Sequence, residues 1–119
     1  MENPFAREPR PSVSCLWQAA TGMALLFLLG LHFVAQHFVA AGGLRSFSDV
    51  VSYLRNPVIL GLELLFLVVV TSHALLGVRS ILFDFGLSAR MQQRVSKTLT
   101  LIGVLTATYG VWLTWVIIQ

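Results

Sequence analysis

Three long apolar stretches constrain this chain more than any other feature of its sequence. They cover about residues 15–41, 58–85 and 95–118. A hydrocarbon core of about 30 Å needs roughly 20 apolar residues per helix, so each stretch can cross a bilayer. Hydrophobic residues make up 56% of the 119 residues and charged residues only 11%, which is well below the charged share of a soluble domain. The sequence therefore predicts an all-α membrane protein: three transmembrane helices, together forming a membrane anchor over residues 15–119.

Basic residues are unevenly distributed over the segments between these stretches. The tail and the second loop share one side of the membrane and carry five of them, against two in the first loop: Arg7, Arg10, Arg90, Arg94 and Lys97 against Arg45 and Arg55. The positive-inside rule then places the N-terminus in the cytoplasm and the C-terminus outside. Because orientation explains the basic residues, they do not indicate a nucleic-acid partner.

The tail and the first loop differ in character. Residues 1–14 contain three of the four prolines and show no periodicity, which predicts an extended cytoplasmic tail. In the first loop, apolar residues recur at the spacing of one helical face, which predicts a short interfacial helix over about 47–55. Ser46 or Ser48 is its expected N-cap, and Asn56-Pro57 is expected to end it.

The second apolar stretch contains polar residues that are costly to keep inside a membrane. His73 and Asp84 are eleven residues apart, so on a helix they share a face, and Gly77 lies on that face too. Gly77 leaves room one turn from His73 for a flat ligand to pack against the backbone. Arg79 points elsewhere by ideal geometry, but its long side chain can reach the cytoplasmic end and meet an anionic group.

The first apolar stretch has a similar pattern. Thr21 precedes His32 by eleven residues, and Gln18 lies close to the same direction. His37 points about 140° away from His32 and lies nearer the outer surface, so the two histidines cannot serve one ligand. Trp17, at the cytoplasmic entry, is either a membrane anchor or a quinone contact.

A neutral imidazole inside a membrane is a natural ligand for haem iron, because it supplies a lone pair without burying a charge. His73 is the first candidate for an axial ligand and His32 the second. The haem propionates would need a cation such as Arg79. The alternative is that these histidines only form hydrogen bonds with neighbouring helices.

These residues resemble the small membrane-anchor subunits of succinate dehydrogenase (succinate:quinone oxidoreductase, complex II), in particular the D-type subunit. The resemblance rests on Thr21-Gly22 with His32 in the first helix, on the first loop up to Asn56-Pro57, and on His73-x-x-x-Gly77-x-Arg79 followed by Asp84. It covers the chain from about Trp17 to the third helix.

The resemblance implies a three-helix anchor in the bacterial cytoplasmic (inner) membrane, itself non-catalytic, that pairs with a second anchor subunit. The two anchors would bind one or two haems b between them and hold the iron-sulfur and flavoprotein subunits. His73 matches the axial histidine of the family, and His32 matches a helix I histidine found in some members, which could ligate a haem in a two-haem arrangement. Electrons from succinate would pass through the iron-sulfur subunit to a quinone near the cytoplasmic face.

Two departures from the family pattern concern the quinone. Members often have a tyrosine after the aspartate of helix II, whereas this chain has Phe85, and some have an arginine before the Thr-Gly pair, where this chain has Ala20. Polar contacts to a quinone would then come mainly from partner subunits, with Asp84 or Gln18 assisting and Trp17 as an apolar wall. A haem-free structural anchor or assembly subunit is the alternative function. A small transporter is disfavoured, because no chain of ionisable residues links the two surfaces.

Overall fold

The computed structural model describes residues 11–40, 42–43 and 46–119, and these ranges consist of helices joined by short turns and contain no strand. The elements in order are α1 (Val13–Val34), continued by a π-helical turn (Ala35–Val39), then α2 (Phe47–Leu54), α3 (Pro57–Asp84) and α4 (Ala89–Ile118). The all-α prediction is confirmed, including the short helix in the first loop.

Three of these helical segments are long and apolar enough to cross a membrane. They span 27 residues in α1 with its π-helical turn, 28 in α3 and 30 in α4. At 1.5 Å per residue each is about 40–45 Å long, which exceeds a hydrocarbon core of about 30 Å. The predicted three spans are confirmed, and each helix must tilt or extend beyond the hydrocarbon.

Side-chain caps determine where the helices begin. The Ser46 hydroxyl accepts a hydrogen bond from the Asp49 amide, and the Asp49 carboxylate accepts one from the Ser46 amide, which forms a capping box at the start of α2. At the start of α3 the Asn56 side-chain oxygen accepts from the amides of Val58 and Ile59, and Pro57 is the first residue of the helix. Of the two N-caps that the sequence allowed for α2, Ser46 is therefore the one used.

Two predicted boundaries differ from those of the structure. The tail was predicted to be extended over residues 1–14, of which 1–10 lie outside the described residues. α1 already begins at Val13, because the Ser12 hydroxyl caps it. α4 begins at Ala89 and not at residue 95, because the Ser88 hydroxyl accepts from the Met91 amide and the residues that follow are good helix formers.

The central helix of the bundle is α3, which packs against both α1 and α4. On α4, Gly103 and Gly110 are two turns apart and face leucines of α3. A Cβ at Gly110 would lie 2.5 Å from a methyl carbon of Leu67, and one at Gly103 would lie 2.6 Å from a methyl carbon of Leu75. Small residues thus let the two helices approach closely, as is typical of helix contacts in membranes.

We expect Gly110→Ala to weaken the contact between α3 and α4, because the added methyl group would overlap Leu67. Overpacking of this kind costs about 1–3 kcal/mol. Thermal unfolding of the purified complex should therefore show a lower midpoint for Gly110→Ala. Combining it with Leu67→Val, which shortens the opposing side chain, should recover part of the loss. Equal midpoints for Gly110→Ala and the natural chain would contradict this packing.

Candidate functional site

His73 lies on the face of α3 that packs against α1. Its Nδ1 atom is 3.1 Å from the Oγ1 atom of Thr21, and its ring edge lies beside Gly22, where a Cβ would come within 3.1 Å of Cε1. The glycine therefore allows the imidazole to lie close to the α1 backbone. The Thr21-Gly22 pair and His73, which the sequence singled out separately, form one contact.

The hydrogen bonds of Thr21 indicate which nitrogen of His73 carries the proton. The Thr21 hydroxyl has one hydrogen, and its shortest contact, 2.8 Å, is to the Trp17 carbonyl oxygen. We therefore assign Nδ1 of His73 as the donor to Thr21 Oγ1. The lone pair then resides on Nε2, which has no hydrogen-bond partner among the described residues. A histidine that binds a metal through one ring nitrogen usually donates a hydrogen bond from the other. His73 has such a donor at Nδ1 and an available lone pair at Nε2.

Gln18 lies one turn from this contact, against Gly77. Its Nε2 atom would be 3.3 Å from a Cβ at Gly77. The side-chain amide of Gln18 therefore lies next to the space that the glycine leaves open beside α3. The Oε1 atom of Gln18 is buried and has no partner within the described ranges. A buried acceptor without a donor is unusual in a folded protein, which marks Gln18 as a place where a ligand or partner can donate.

Arg79 reaches away from His73 toward the N-terminal part of α1 and of α4. Its Nη1 atom donates to Ser14 Oγ at 2.6 Å and its Nε atom to Ser96 Oγ at 3.0 Å. The guanidinium carbon also lies 4.3 Å from the centre of the Phe83 ring, a cation–π contact. The side chain thus joins three helices at the end of the bundle where α1 and α4 begin.

A second polar cluster lies at the opposite end of the bundle. His32 Nδ1 contacts Glu63 Oε1 at 2.8 Å, and the Gln36 amide donates to His32 Nε2 at 2.8 Å. The Tyr53 hydroxyl donates to the same Glu63 oxygen, also at 2.8 Å. Both ring nitrogens of His32 are therefore in use, and the cluster ties α1, α2 and α3 together.

Tyr53 is the buried member of this cluster, with 8% of its surface exposed. Its burial, the hydrogen bond to Glu63 and the nearby carboxylate charge raise the pKa of the Tyr53 hydroxyl above its ordinary value. The hydroxyl therefore remains a donor at physiological pH. Sequence reasoning missed Glu63 and Tyr53. The signal that could have found Glu63 is its carboxylate, which stands near the outer start of the second span at the level of His32.

His37 lies in the π-helical turn and is exposed. Its Nδ1 atom lies 3.0 Å from the carbonyl oxygen of Phe33, and its ring stacks on the Phe33 ring at 4.2 Å between centres. In the described part of the chain no contact joins His37 to the cluster around His32, which agrees with the divergent directions expected from the sequence.

The remaining quinone candidates are exposed. Asp84 is the last residue of α3, and Trp17 is 62% exposed on α1. Within the described part of the chain, no hydrogen bond or ion pair joins Asp84 to Trp17 or Gln18. Phe85, in the place of the expected tyrosine, is 77% exposed. This end of the chain thus offers a surface for a partner and not a closed pocket of its own.

Three spanning helices with polar contacts at both ends define an integral membrane-anchor protein. The chain belongs to the family of succinate dehydrogenase and fumarate reductase transmembrane subunits, whose family model matches residues 7–113. The resemblance inferred from the helix motifs is thereby confirmed, and so is the role of a succinate dehydrogenase membrane-anchor subunit.

Two similar proteins are archaeal, and each is named a succinate dehydrogenase hydrophobic membrane anchor subunit. The one from Thermoplasma acidophilum is 34% identical over 93 residues, which cover 78% of this chain and 76% of the relative. The one from Archaeoglobus fulgidus is 31% identical over 113 residues, which cover 95% of this chain and 96% of the relative. No solved structure matches the chain.

Proposed function

We propose that this subunit ligates a haem b through Nε2 of His73 and supports electron transfer from succinate to a quinone. The observation that carries the proposal is the contact of His73 Nδ1 with Thr21, which leaves Nε2 with a free lone pair. Thr21 is a positioning residue, because it holds the ring and its tautomer. A haem bound there supplies one-electron redox chemistry.

This proposal assigns one haem ligand to the chain. His32 can ligate a second haem only after Glu63 or Gln36 releases one of its ring nitrogens. Release of Nδ1 would deprive the Glu63 carboxylate of a partner, whereas release of Nε2 would cost only the contact with Gln36. In this arrangement His32 joins the helices, and its use as a second haem ligand would require Gln36 to move.

The quinone end of the proposal rests on Gln18. Its Oε1 atom, which is buried and has no partner among the described residues, could accept a hydrogen bond from the hydroxyl of a quinol if the side chain turned to expose it. Trp17 and Asp84 provide an apolar wall and a carboxylate at the same end. The other polar contacts come from partners: a second anchor subunit, an iron-sulfur subunit and a flavoprotein subunit, which dock on this side.

The proposed orientation places that side in the cytoplasm and the C-terminus outside, in a cytoplasmic membrane. This orientation rests on the distribution of basic residues. Three of them, Arg90, Arg94 and Lys97, are exposed on the first turns of α4, where the positive-inside rule applies. The two named relatives are archaeal, so they do not indicate a bacterial membrane.

A haem-free structural anchor is the second candidate. The contact between His73 and Thr21 favours it as well, since this hydrogen bond joins α1 to α3 without any iron. The two functions differ in the absorption spectrum of the reduced complex, which shows a b-type band only if haem is bound.

We expect Thr21→Val to loosen the haem and raise its reduction potential, because the imidazole loses the acceptor that makes it more basic. Loss of such an outer partner lowers metal affinity about 10–100-fold. Spectroelectrochemical titration of the purified complex measures the potential, and Thr21→Ser, which keeps the hydroxyl, should retain the natural value. An unchanged potential in Thr21→Val would show that Thr21 does not position the ligand.

A further inference from the structure

A groove of about 480 Å³ lies between α1, α3 and α4, in the half of the bundle where α1 and α4 begin. Most of its walls are apolar, and they include Leu75, Leu99 and Val104. Its polar end is formed by Arg79 with the hydroxyls of Ser14 and Ser96. The groove thus has the form of a site for an amphiphile with a polar head and an apolar chain.

The polar end of the groove is positively charged and lacks a counter-charge within the described ranges of the chain. No carboxylate lines the groove, and Arg79 has no ion pair among the described residues. Arg79 has five N–H donors, of which the two serine contacts use two. The hydroxyl hydrogens of Ser14 and Ser96 can also donate outward, because both oxygens accept from Arg79. A second cavity that also borders Arg79 is lined by Lys97, so the charge around the polar end favours an anion.

The groove is separate from the proposed haem ligand. His73 does not line it, and none of its lining residues is a histidine, cysteine or methionine that could ligate iron. Ser14 is the second residue of α1 and Trp17 is exposed one turn further along. A tryptophan at this position is typical of the membrane interface, so Arg79 lies near the depth of lipid phosphates.

We propose that this groove binds an anionic phospholipid. The phosphate is held by the guanidinium of Arg79 and the hydroxyls of Ser14 and Ser96, and one hydrocarbon chain lies along Leu75 and Leu99. A planar guanidinium can form two parallel hydrogen bonds to a phosphate. The apolar walls of the groove take the place of neighbouring lipid tails around the bound hydrocarbon chain. The proposal does not depend on haem binding by His73.

The test compares the purified, delipidated complex with added phosphatidylglycerol and with added phosphatidylcholine. A ligand that binds only the folded state raises the unfolding temperature, so we expect phosphatidylglycerol to raise it more than phosphatidylcholine. Arg79→Gln should abolish that difference. Arg90→Gln removes an equal charge from the exposed start of α4, outside the groove, and should keep it.

A second variant guards against misfolding of Arg79→Gln. Ser14→Ala combined with Ser96→Ala retains the cation and should reduce the preference for phosphatidylglycerol without abolishing it. An intact preference for phosphatidylglycerol in Arg79→Gln would overturn the proposal. So would a shifted b-type haem band in that variant, which indicates a propionate on Arg79, or the loss of bound quinone from a variant that keeps the lipid preference.

Discussion

Replacement of His73 by alanine should remove the b-type haem band from the spectrum of the purified, reduced complex. Nε2 of this imidazole is the one histidine nitrogen on the α1–α3 interface that has no partner among the described residues. If His73 holds the haem as proposed, its replacement would remove the nitrogen that binds the iron. Because α3 keeps its contacts with α4, we expect the anchor to remain in the membrane.

Two controls make the result interpretable. His37→Ala removes an exposed histidine of the π-helical turn and should leave the band unchanged. The iron-sulfur and flavoprotein subunits should co-purify with His73→Ala, which would show that the complex has assembled. An unchanged b-type band in assembled His73→Ala would show that His73 is not a haem ligand, whereas absence of the band from the natural complex would favour the haem-free structural anchor.

Replacement of Glu63 by leucine should destabilise the bundle strongly. Glu63 accepts from both His32 and Tyr53, so its loss leaves two largely buried donors without an acceptor. Each unsatisfied donor costs about 1–3 kcal/mol, and we expect a combined loss of about 3 kcal/mol. The measurement is the thermal unfolding midpoint of the purified complex, with the far-ultraviolet circular dichroism as signal.

Glu63→Gln is the matched control, because its amide oxygen can still accept from His32 and Tyr53 while the negative charge is lost. Its midpoint should lie between those of the natural chain and Glu63→Leu. A double-mutant cycle with Tyr53→Phe tests the contact itself, since the two changes should not be additive if the residues interact. Additive effects would contradict a shared cluster.

The sequence was informative wherever a feature depends on one helix alone. Apolar length predicted the three spans, and the Ser46 cap and Asn56-Pro57 marked the ends of α2 because such signals act within a few residues. The start of α4 was placed too late, since polar residues such as Gln92 and Arg94 were interpreted as a loop although they are good helix formers.

Features that depend on two helices were not predictable in this way. The contact of His32 with Glu63 requires the rotation and the axial register of α1 against α3, and a single periodicity determines neither. Arg79 was correctly expected to point away from His73, but its serine partners belong to two other helices. The role of Tyr53 was not predicted, because its apolar ring fits the interfacial face of α2 and only its hydroxyl forms the polar contact.

The two polar clusters of the α1–α3 interface are separated by apolar side chains. Glu63 and His73 are ten residues apart on α3, which corresponds to about 15 Å along the helix, and the buried Leu28 of α1 lies between the levels of Thr21 and His32. Protons need a continuous series of hydrogen-bonding groups, whereas electrons can tunnel across such a gap. Along this interface the described residues therefore provide no hydrogen-bonded path for protons between the two clusters, and under the proposed function any charge that passes between the two levels would be an electron.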